Sequence, residues 1–239
     1  MLESAIVNVE VCDIYKEPSY ESEIVTQGLL WDKLTILSKK NNWFEVKQSD
    51  NYVGWVHSFF IVDSKTYDNN KFLKNIDNWY IVRDRIVEIK KTFSNVSKFI
   101  SIGTILPIVD KGENNYTLLL PNSEKFFIDK NKLLKFNVER SINDIYEHIL
   151  NLEGTPYKWG GKSGFGFDCS GFIQTIFKLT NIMIPRDSSE QANSTYFEKI
   201  DYSEKGALVF FSENNLINHV GIFINNHEFM HSSGYVKIE

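Results

Sequence analysis

Residues 154–174 read GTPYKWGGKSGFGFDCSGFIQ, a glycine-rich run that becomes amphipathic at Asp168-Cys169-Ser170. Phe172, Ile173, Ile176, Phe177 and Leu179 fall on one face at helical spacing. The pattern predicts a helix with Cys169 in its first turn and a glycine-rich loop feeding it. Asp168 suits the N-cap, because its carboxylate can accept from the first free backbone N–H groups. A cysteine in that position has a physical reason to react: the positive end of the helix dipole favours thiolate over thiol. The plain alternative is a small buried residue.

Downstream, Ile182 to Pro185 leads into Arg186-Asp187-Ser188-Ser189-Glu190-Gln191, where Asp187 to Glu190 looks like another helix start. Gly206 to Ser212 and His219 to Asn225 are strand candidates, with Asn214-Asn215 between them, and Phe229-Met230-His231 begins a further strand. Just upstream of the opening stretch, Ser141 and Asp144 approach a capping box for a helix with Ile145, Ile149 and Leu152 on its apolar face and Gly154 at its end. Helices followed by a run of strands predict an α+β domain over 137–239.

The chain before residue 137 reads as short strands. Val7, Val9 and Val11 alternate with polar residues, as one half-buried strand would. A turn at Lys16 to Ser19 follows. Leu34 to Leu37, Trp43 to Val46 and Tyr52 to Val56 come next, separated by polar turns, and predict a small all-β barrel over 1–62. Residues 63–75 are polar and are expected to be a linker that includes a short connecting helix. Residues 76–136 repeat the rhythm: Thr104 to Leu106, Tyr116 to Leu120 and Phe126 to Ile128 echo Leu34 to Val56, a divergent internal repeat.

Composition bounds the function. The 239 residues are 42% hydrophobic and 24% charged, enough for packed cores, and the net charge is −5. That balance argues against a nucleic-acid binder, which needs a basic face for phosphates. No apolar run approaches a membrane span, so no membrane partner is expected. The N-terminus lacks a basic segment followed by an apolar one, so a cytoplasmic protein is expected, or a secreted or wall-associated one if sequence is missing before Met1. Two distant cysteines, Cys12 and Cys169, make a disulfide framework unexpected.

Cys169, His219 and His231 lie within one small domain, and adjacent antiparallel strands bring such histidines close. The chemistry needs a thiolate nucleophile, a base that takes and returns the proton, and a polar group that fixes the base's tautomer. Cys169, His219 and His231 fit those roles in that order; for each histidine the plain alternative is an ordinary hydrogen-bonded residue. His57, His148 and His227 are read as structural or solvated. A metal site made of Cys169, His219 and His231 would lack a close C-x-x-C or H-x-x-x-H pair among those three, so no metal is expected, nor any cofactor.

The strings GTPYKWGGKSGFGFDCSGF, PRDSSEQA, GALVFF, NHVGIF and FMHSSG, in this order, resemble the NlpC-type cysteine peptidases that cut bacterial cell-wall peptides. The resemblance covers Ser141 to the end and rests on Y-x-W-G-G and D-C-S-G-F together with both histidines. It implies a papain-like α+β fold with a Cys-His-polar triad at Cys169, His219 and His231. The two upstream segments resemble bacterial SH3-like domains. The whole order resembles endopeptidases that cleave murein peptides between γ-D-glutamate and a diamino acid. That subgroup implies a closed pocket for the substrate's free N-terminal amine, shared with the first SH3-like domain. The matching positions are Tyr157, Asp168, Ser170, Asp187 and Ser188, with Glu17 and Tyr52 from the first barrel. A buried ammonium needs such carboxylates and hydroxyls. Asp168 as a plain N-cap, Glu17 as a turn residue and Tyr52 as a barrel aromatic are the alternatives.

Two departures stand out. Gly206-Ala207 lacks the acidic residue that many relatives carry after the glycine, which implies a local packing change. The chain also ends soon after His231, which implies a sheet short of an edge or a sequence that is a fragment. The expected protein is a monomeric cysteine peptidase whose partner is a murein peptide, L-Ala-γ-D-Glu-diamino acid. The rival readings are a wall-remodelling hydrolase on intact peptidoglycan, a non-enzymatic wall-binding module, and an acyltransferase.

Overall fold

The computed structural model describes residues 3–65 and 71–239. The chain divides into two compact units, Met1–Val138 and Glu139–Glu239.

The first unit is built of two sheets with the same plan. Strands β1 (Ser4–Val7), β2 (Val11–Tyr15), β3 (Ile24–Leu29), β4 (Lys33–Lys40), β5 (Trp43–Lys47), β6 (Val53–His57) and β7 (Ile61–Asp63) lie in the order β3-β2-β6-β5-β4-β1-β7. Strands β8 (Trp79–Val82), β9 (Ile86–Lys91), β10 (Ser97–Ser101), β11 (Ile105–Lys111), β12 (Asn115–Leu119), β13 (Lys125–Asp129) and β14 (Leu133–Lys135) lie in the order β10-β9-β13-β12-β11-β8-β14. Every strand of the second sheet occupies the place of the strand seven earlier in the first. Even the 3-10 turn before the last strand recurs. His57 caps Ser58–Phe60 through its ring, and Asp129 caps Lys130–Lys132 through its carboxylate. Both sheets are all-β and SH3-like.

Val7, Val9 and Val11 do not form one strand. The chain bends at residues 8–10, so β1 and β2 are separate strands with different partners, β4 and β7 for the first, β3 and β6 for the second. Alternation over five residues cannot distinguish one strand from two that meet at a bend. The expected linker is only partly described, since 66–70 lie outside the described residues. Its end is packed: helix α1 (Lys71–Lys74) buries Leu73 in the core of the second sheet, and the Trp79 indole N–H donates to the Leu73 carbonyl at 2.9 Å.

The two cores are not equivalent. Ala5, Val7, Ile14, Leu34, Val46 and Val56 centre the first. The second, around Ile89, Leu106, Leu118 and Phe126, also takes Ile6 from β1 and Leu30 and Trp31 from the turn between β3 and β4. The Trp31 indole N–H donates to the Leu119 carbonyl at 2.8 Å and the ring meets Trp79 edge-on. Burying an aromatic with its polar tip satisfied is the favourable way to place a tryptophan in a core.

The second unit is α+β and papain-like. A 3-10 turn at Asn143–Ile145 runs into α2 (Tyr146–Leu150). The capping box is reciprocal: Ser141 donates its N–H and Oγ–H to Asp144 Oδ2, both at 2.8 Å, and Ser141 Oγ accepts from the Asp144 N–H. Ile145, Ile149 and Leu152 are fully buried. A small hairpin, β15 (Lys162–Ser163) and β16 (Gly166–Phe167), precedes the long helix α3 (Cys169–Leu179), and α4 (Ser188–Ala192) follows. Strands β17 (Leu208–Glu213), β18 (Leu216–Phe223), β19 (Phe229–Ser233) and β20 (Tyr235–Ile238) form an antiparallel sheet in sequence order. Asn214 and Asn215, both at positive φ (51° and 63°), make the two-residue turn between β17 and β18 that a right-twisted hairpin favours. The strand that carries His231 therefore has a neighbour on both sides, and β20 supplies the edge that the sequence reading left in question.

Candidate active site

The cysteine side of the site is built by local chemistry. Cys169 is the first residue of α3, and Asp168 has the extended backbone of an N-cap, its Oδ1 accepting from the Gly171 N–H at 2.7 Å. The glycine-rich loop lies directly against this helix start. A Cβ on Gly171 would sit 2.1 Å from the Gly161 carbonyl oxygen, so only glycine permits the approach. The Asp168 N–H donates back to that same carbonyl at 3.0 Å.

Beneath the cap is a buried ion pair that the sequence reading missed. Arg186, 1% exposed, donates from Nη1 to Asp168 Oδ1 (3.0 Å) and from Nη2 to Oδ2 (2.5 Å), and Nη1 also reaches Ser170 Oγ at 2.9 Å. Ser170 Oγ in turn donates to Asp168 Oδ1 at 3.3 Å. Gln191 Nε2, from α4, donates to the Ser170 and Pro185 carbonyls. Asp168, expected at the substrate ammonium, thus carries a helix cap and an Arg186 partner in the structure. Arg186 stood in the string PRDSSEQA, but nothing in spacing shows that its partner lies eighteen residues earlier.

The histidine side is built across strands. Gly221 on β18 faces His231 on β19, so His219 lies two residues away on the diagonal. A Cβ on Gly221 would stand 2.8 Å from Phe229 Cδ2 and 3.2 Å from the His231 Cβ, so a side chain there would crowd β19. His219 Nε2 and His231 Nδ1 are 2.6 Å apart. Phe211 and Phe229 pack against the two imidazoles, at centroid distances of 5.6 and 5.0 Å. Helix α3 packs on β18 and β19, which brings Cys169 to the same end: its sulfur is 4.0 Å from the carbonyl of Asn218, the residue before His219. Ser232, beside His231, ties β19 to the loop before the cysteine by donating to the Phe167 carbonyl at 2.8 Å.

Burial pushes the Cys169 thiol up, and the Asp168 carboxylate adds to it; the Val220 and Ser170 N–H groups and Arg186 pull it part of the way back. The sequence expectation was a thiol lowered by the helix dipole. Desolvation outweighs it, because Cys169 is buried. Burial also lowers His219, with His231 second, and lowers His231 as well. The resting pair is thus neutral thiol and neutral imidazole. Tyr157 is pushed up to about 12, mainly by burial and then by its neighbours Cys169 and Asp168, so its hydroxyl remains a proton donor.

Of the other sequence-predicted positions, Asp187 and Ser188 begin α4 and are half-buried, and the Asp187 side chain does not cap that helix. Glu17 and Tyr52 lie in the first unit. Glu17 is exposed in the turn after β2, its N–H donating to Ser22 Oγ; Tyr52 is half-buried before β6, its N–H donating to Asp50 Oδ1. His57 is buried among Tyr20, Trp43 and Phe59. Among the described residues no three His, Cys, Asp or Glu side chains gather as a metal site requires.

Comparison with known proteins identifies what the chain is similar to. Residues 154–239 match the NlpC/P60 family and residues 14–58 match the bacterial dipeptidyl-peptidase Sh3 domain. The chain is 31% identical over 233 residues to a Gamma-D-glutamyl-L-lysine dipeptidyl-peptidase of Bacillus cereus, covering 88% of this chain and 68% of that protein. It is 27% identical over 228 residues to the protein of the same name from Bacillus subtilis, covering 89% of this chain and 73% of that one. A crystal structure of an NlpC/P60 family protein from Bacillus cereus shares the fold at a TM-score of 0.87 and 24% identity, over 99% of this chain and 93% of the other.

Proposed function

The chain belongs to the NlpC/P60 family of cysteine peptidases, and from that premise we propose that it hydrolyses the bond between γ-D-glutamate and a diamino acid in murein peptides with a free N-terminal L-Ala. A cell-wall peptide is the substrate class. The observation that carries the chemistry is the 2.6 Å contact between His219 Nε2 and His231 Nδ1 at the end of the sheet that packs on the Cys169 helix. The bond choice is supported by the names of the two Bacillus relatives.

In the proposed reaction, His219 uses Nε2 toward His231, so Nδ1 is the nitrogen that takes the thiol proton as Sγ adds to the γ-carbonyl carbon. The Cys169 N–H at the helix start and the Tyr157 hydroxyl stabilise the oxyanion, each such donor being worth roughly 3 kcal/mol of barrier. His219 then protonates the departing amine, the C–N bond breaks, and the acyl group stays on sulfur as a thioester. Water attacks, gives its proton to His219, and the C–S bond breaks to restore the thiol.

Amine recognition is assigned to Asp168, Tyr157, Ser170, Asp187 and Ser188, with Arg186 holding the Asp168 carboxylate in place. Glu17 and Tyr52 enter this reading through the resemblance alone, and Glu17→Ala is expected to raise KM; an unchanged KM returns Glu17 to a turn residue. The cytoplasmic location and monomeric state expected from sequence belong to the same proposal and are read by fractionation and sedimentation. The deciding experiment offers L-Ala-γ-D-Glu-L-Lys, its diaminopimelate analogue, and each peptide acetylated at its amine, with products followed by mass spectrometry. Cleavage of the free peptides between the second and third residues is expected. Equal rates on acetylated peptides would remove the amine-recognition claim and favour a hydrolase of intact wall.

A further inference from the structure

We propose that Glu239 is a fourth, positioning member of the Cys169–His219–His231 relay, its carboxylate selecting the tautomer of His231 that lets His219 act as the base. The inference rests on the cysteine-peptidase reading above.

Register places the carboxylate. Lys237 of β20 is directly opposite His231 of β19, and the Glu239 backbone pairs with Phe229, exchanging N–H···O bonds of 3.0 and 2.9 Å. Side chains opposite one another share a face of the sheet, so Glu239 sits on the diagonal from His231. Its Oε2 lies 3.3 Å from His231 Nε2, and its Oε1 is held by Lys237 Nζ. His231 Nε2 is itself buried, and the Glu239 carboxylate stands beside it in ion-pair range without the alignment of a hydrogen bond. Catalytic contacts often tighten only when substrate closes the site.

The consequence is a matter of counting protons. Each neutral imidazole carries one N–H. A carboxylate beside Nε2 of His231 accepts and cannot donate, so it favours the proton on Nε2 and leaves Nδ1 as an acceptor. The 2.6 Å contact must then be donated by His219 Nε2–H. His219 is left with a bare Nδ1, the atom the thiol proton needs. With the opposite tautomer of His231, Nδ1–H would donate to His219 Nε2, and the proton of His219 would occupy Nδ1. Glu239 therefore sets the direction of the whole chain of hydrogen bonds, in the way the buried aspartate of a serine-protease triad sets its histidine.

Charge acts in the same sense. The groups that face the two imidazoles are Glu239 and Lys237 from β20; Cys169 stands at the start of α3, with Tyr157, Asp168 and Arg186 around its sulfur. Burial lowers both histidines most, Glu239 raises both, and Lys237 lowers both. Glu239 is thus the carboxylate that favours the imidazolium formed when His219 takes the proton.

The test compares wild type with Glu239→Ala, Glu239→Gln and Glu239→Asp, reading kcat, KM and their pH profiles on the free tripeptide. It also reads the pH profile of Cys169 alkylation by iodoacetamide, which needs no substrate. Glu239→Ala is expected to lower kcat about tenfold with KM changed by less than roughly twofold. Its acid limb should move to lower pH in both assays, because the imidazolium has lost a nearby carboxylate. Glu239→Asp should recover most of the rate, and Glu239→Gln, which keeps an acceptor without the charge, should fall between. Unchanged kcat and an unmoved alkylation profile in Glu239→Ala would overturn the proposal. If wild type leaves the tripeptide intact while the alkylation profile still moves, the relay stands and the substrate reading fails.

Discussion

The two sides of the site are assembled in different ways. On the cysteine side, nearly every contact is made within a span of about thirty residues. The loop at Gly161, the cap at Asp168, the sulfur at Cys169 and the guanidinium of Arg186 are close in sequence as well as in space. On the histidine side, nothing is local. His219 meets His231 only because two strands pair with Gly221 opposite His231, and Glu239 joins them only because a third strand pairs in the right register. Cys169 is held by buried and charge-compensated packing, whereas the line from His219 through His231 ends at a half-exposed carboxylate on an outer strand. The difference teaches where each kind of damage should show. Perturbing the cysteine side should cost folding as well as chemistry, and perturbing the histidine side should cost chemistry and leave folding intact.

The largest effect tests whether both sides serve one reaction. Cys169→Ala should reduce kcat/KM on the free tripeptide by about 10⁴-fold or more. His219→Ala should match it within about tenfold, because members of one catalytic unit do not contribute additively. A His219→Ala enzyme within about tenfold of wild type would break the link between the sides. His231→Ala should cost less, about 10²- to 10³-fold, since it orients the base without touching substrate.

Arg186→Met sharpens the folding half of the comparison. It leaves the Asp168 carboxylate buried and unpaired, which should destabilise the second unit by about 3–5 kcal/mol in a denaturant titration. Adding Asp168→Asn keeps the helix cap and removes the stranded charge, so the double variant should recover most of that loss. Equal stability of the single and double variants would mean that the pair is not what holds the cap. Neither histidine variant should move the denaturation midpoint by more than a fraction of the Arg186→Met shift.

The smallest effect is in pH dependence. His219 and His231 are both lowered by burial, so each stays neutral to a more acidic pH than a free imidazole, and the thiol is raised by burial. Protonation of His219 removes the base, so activity is lost as pH falls through its lowered value. The acid limb of kcat/KM is therefore expected below the ordinary imidazole range of about 6.5. An acid limb at or above that range would show that the histidine side is wetter than its burial implies.

Legibility in the sequence follows the same division. The helix at Cys169, its cap and its glycine loop were readable because amphipathic spacing, capping and glycine signals act over a few residues. Three of the four late strands were readable as strands, β20 was not, and the strand ends were not: β18 begins at Leu216, three residues before the expected start, because the Asn214-Asn215 turn is as tight as a hairpin allows. Val7 to Val11 was misread for want of any local sign of the bend. The repeat between the two barrels was visible in rhythm, while the sharing of Ile6, Leu30 and Trp31 with the second core was not. Arg186 and Glu239 carried no signal, because what makes each of them matter is a partner reached through tertiary packing.

By itself, then, the sequence determined the local half of this protein: the α+β plan of the second unit, the all-β character of the first, and a cysteine at a capped helix start preceded by glycine. Those features follow from periodicity and backbone sterics that each short stretch carries alone. Only the tertiary structure decided which way the protons run. That the Asp168 charge goes to Arg186, that burial outweighs the helix dipole at the thiol, and that Glu239 stands behind His231 all depend on strand register and desolvation. Those quantities exist only once distant segments have packed together.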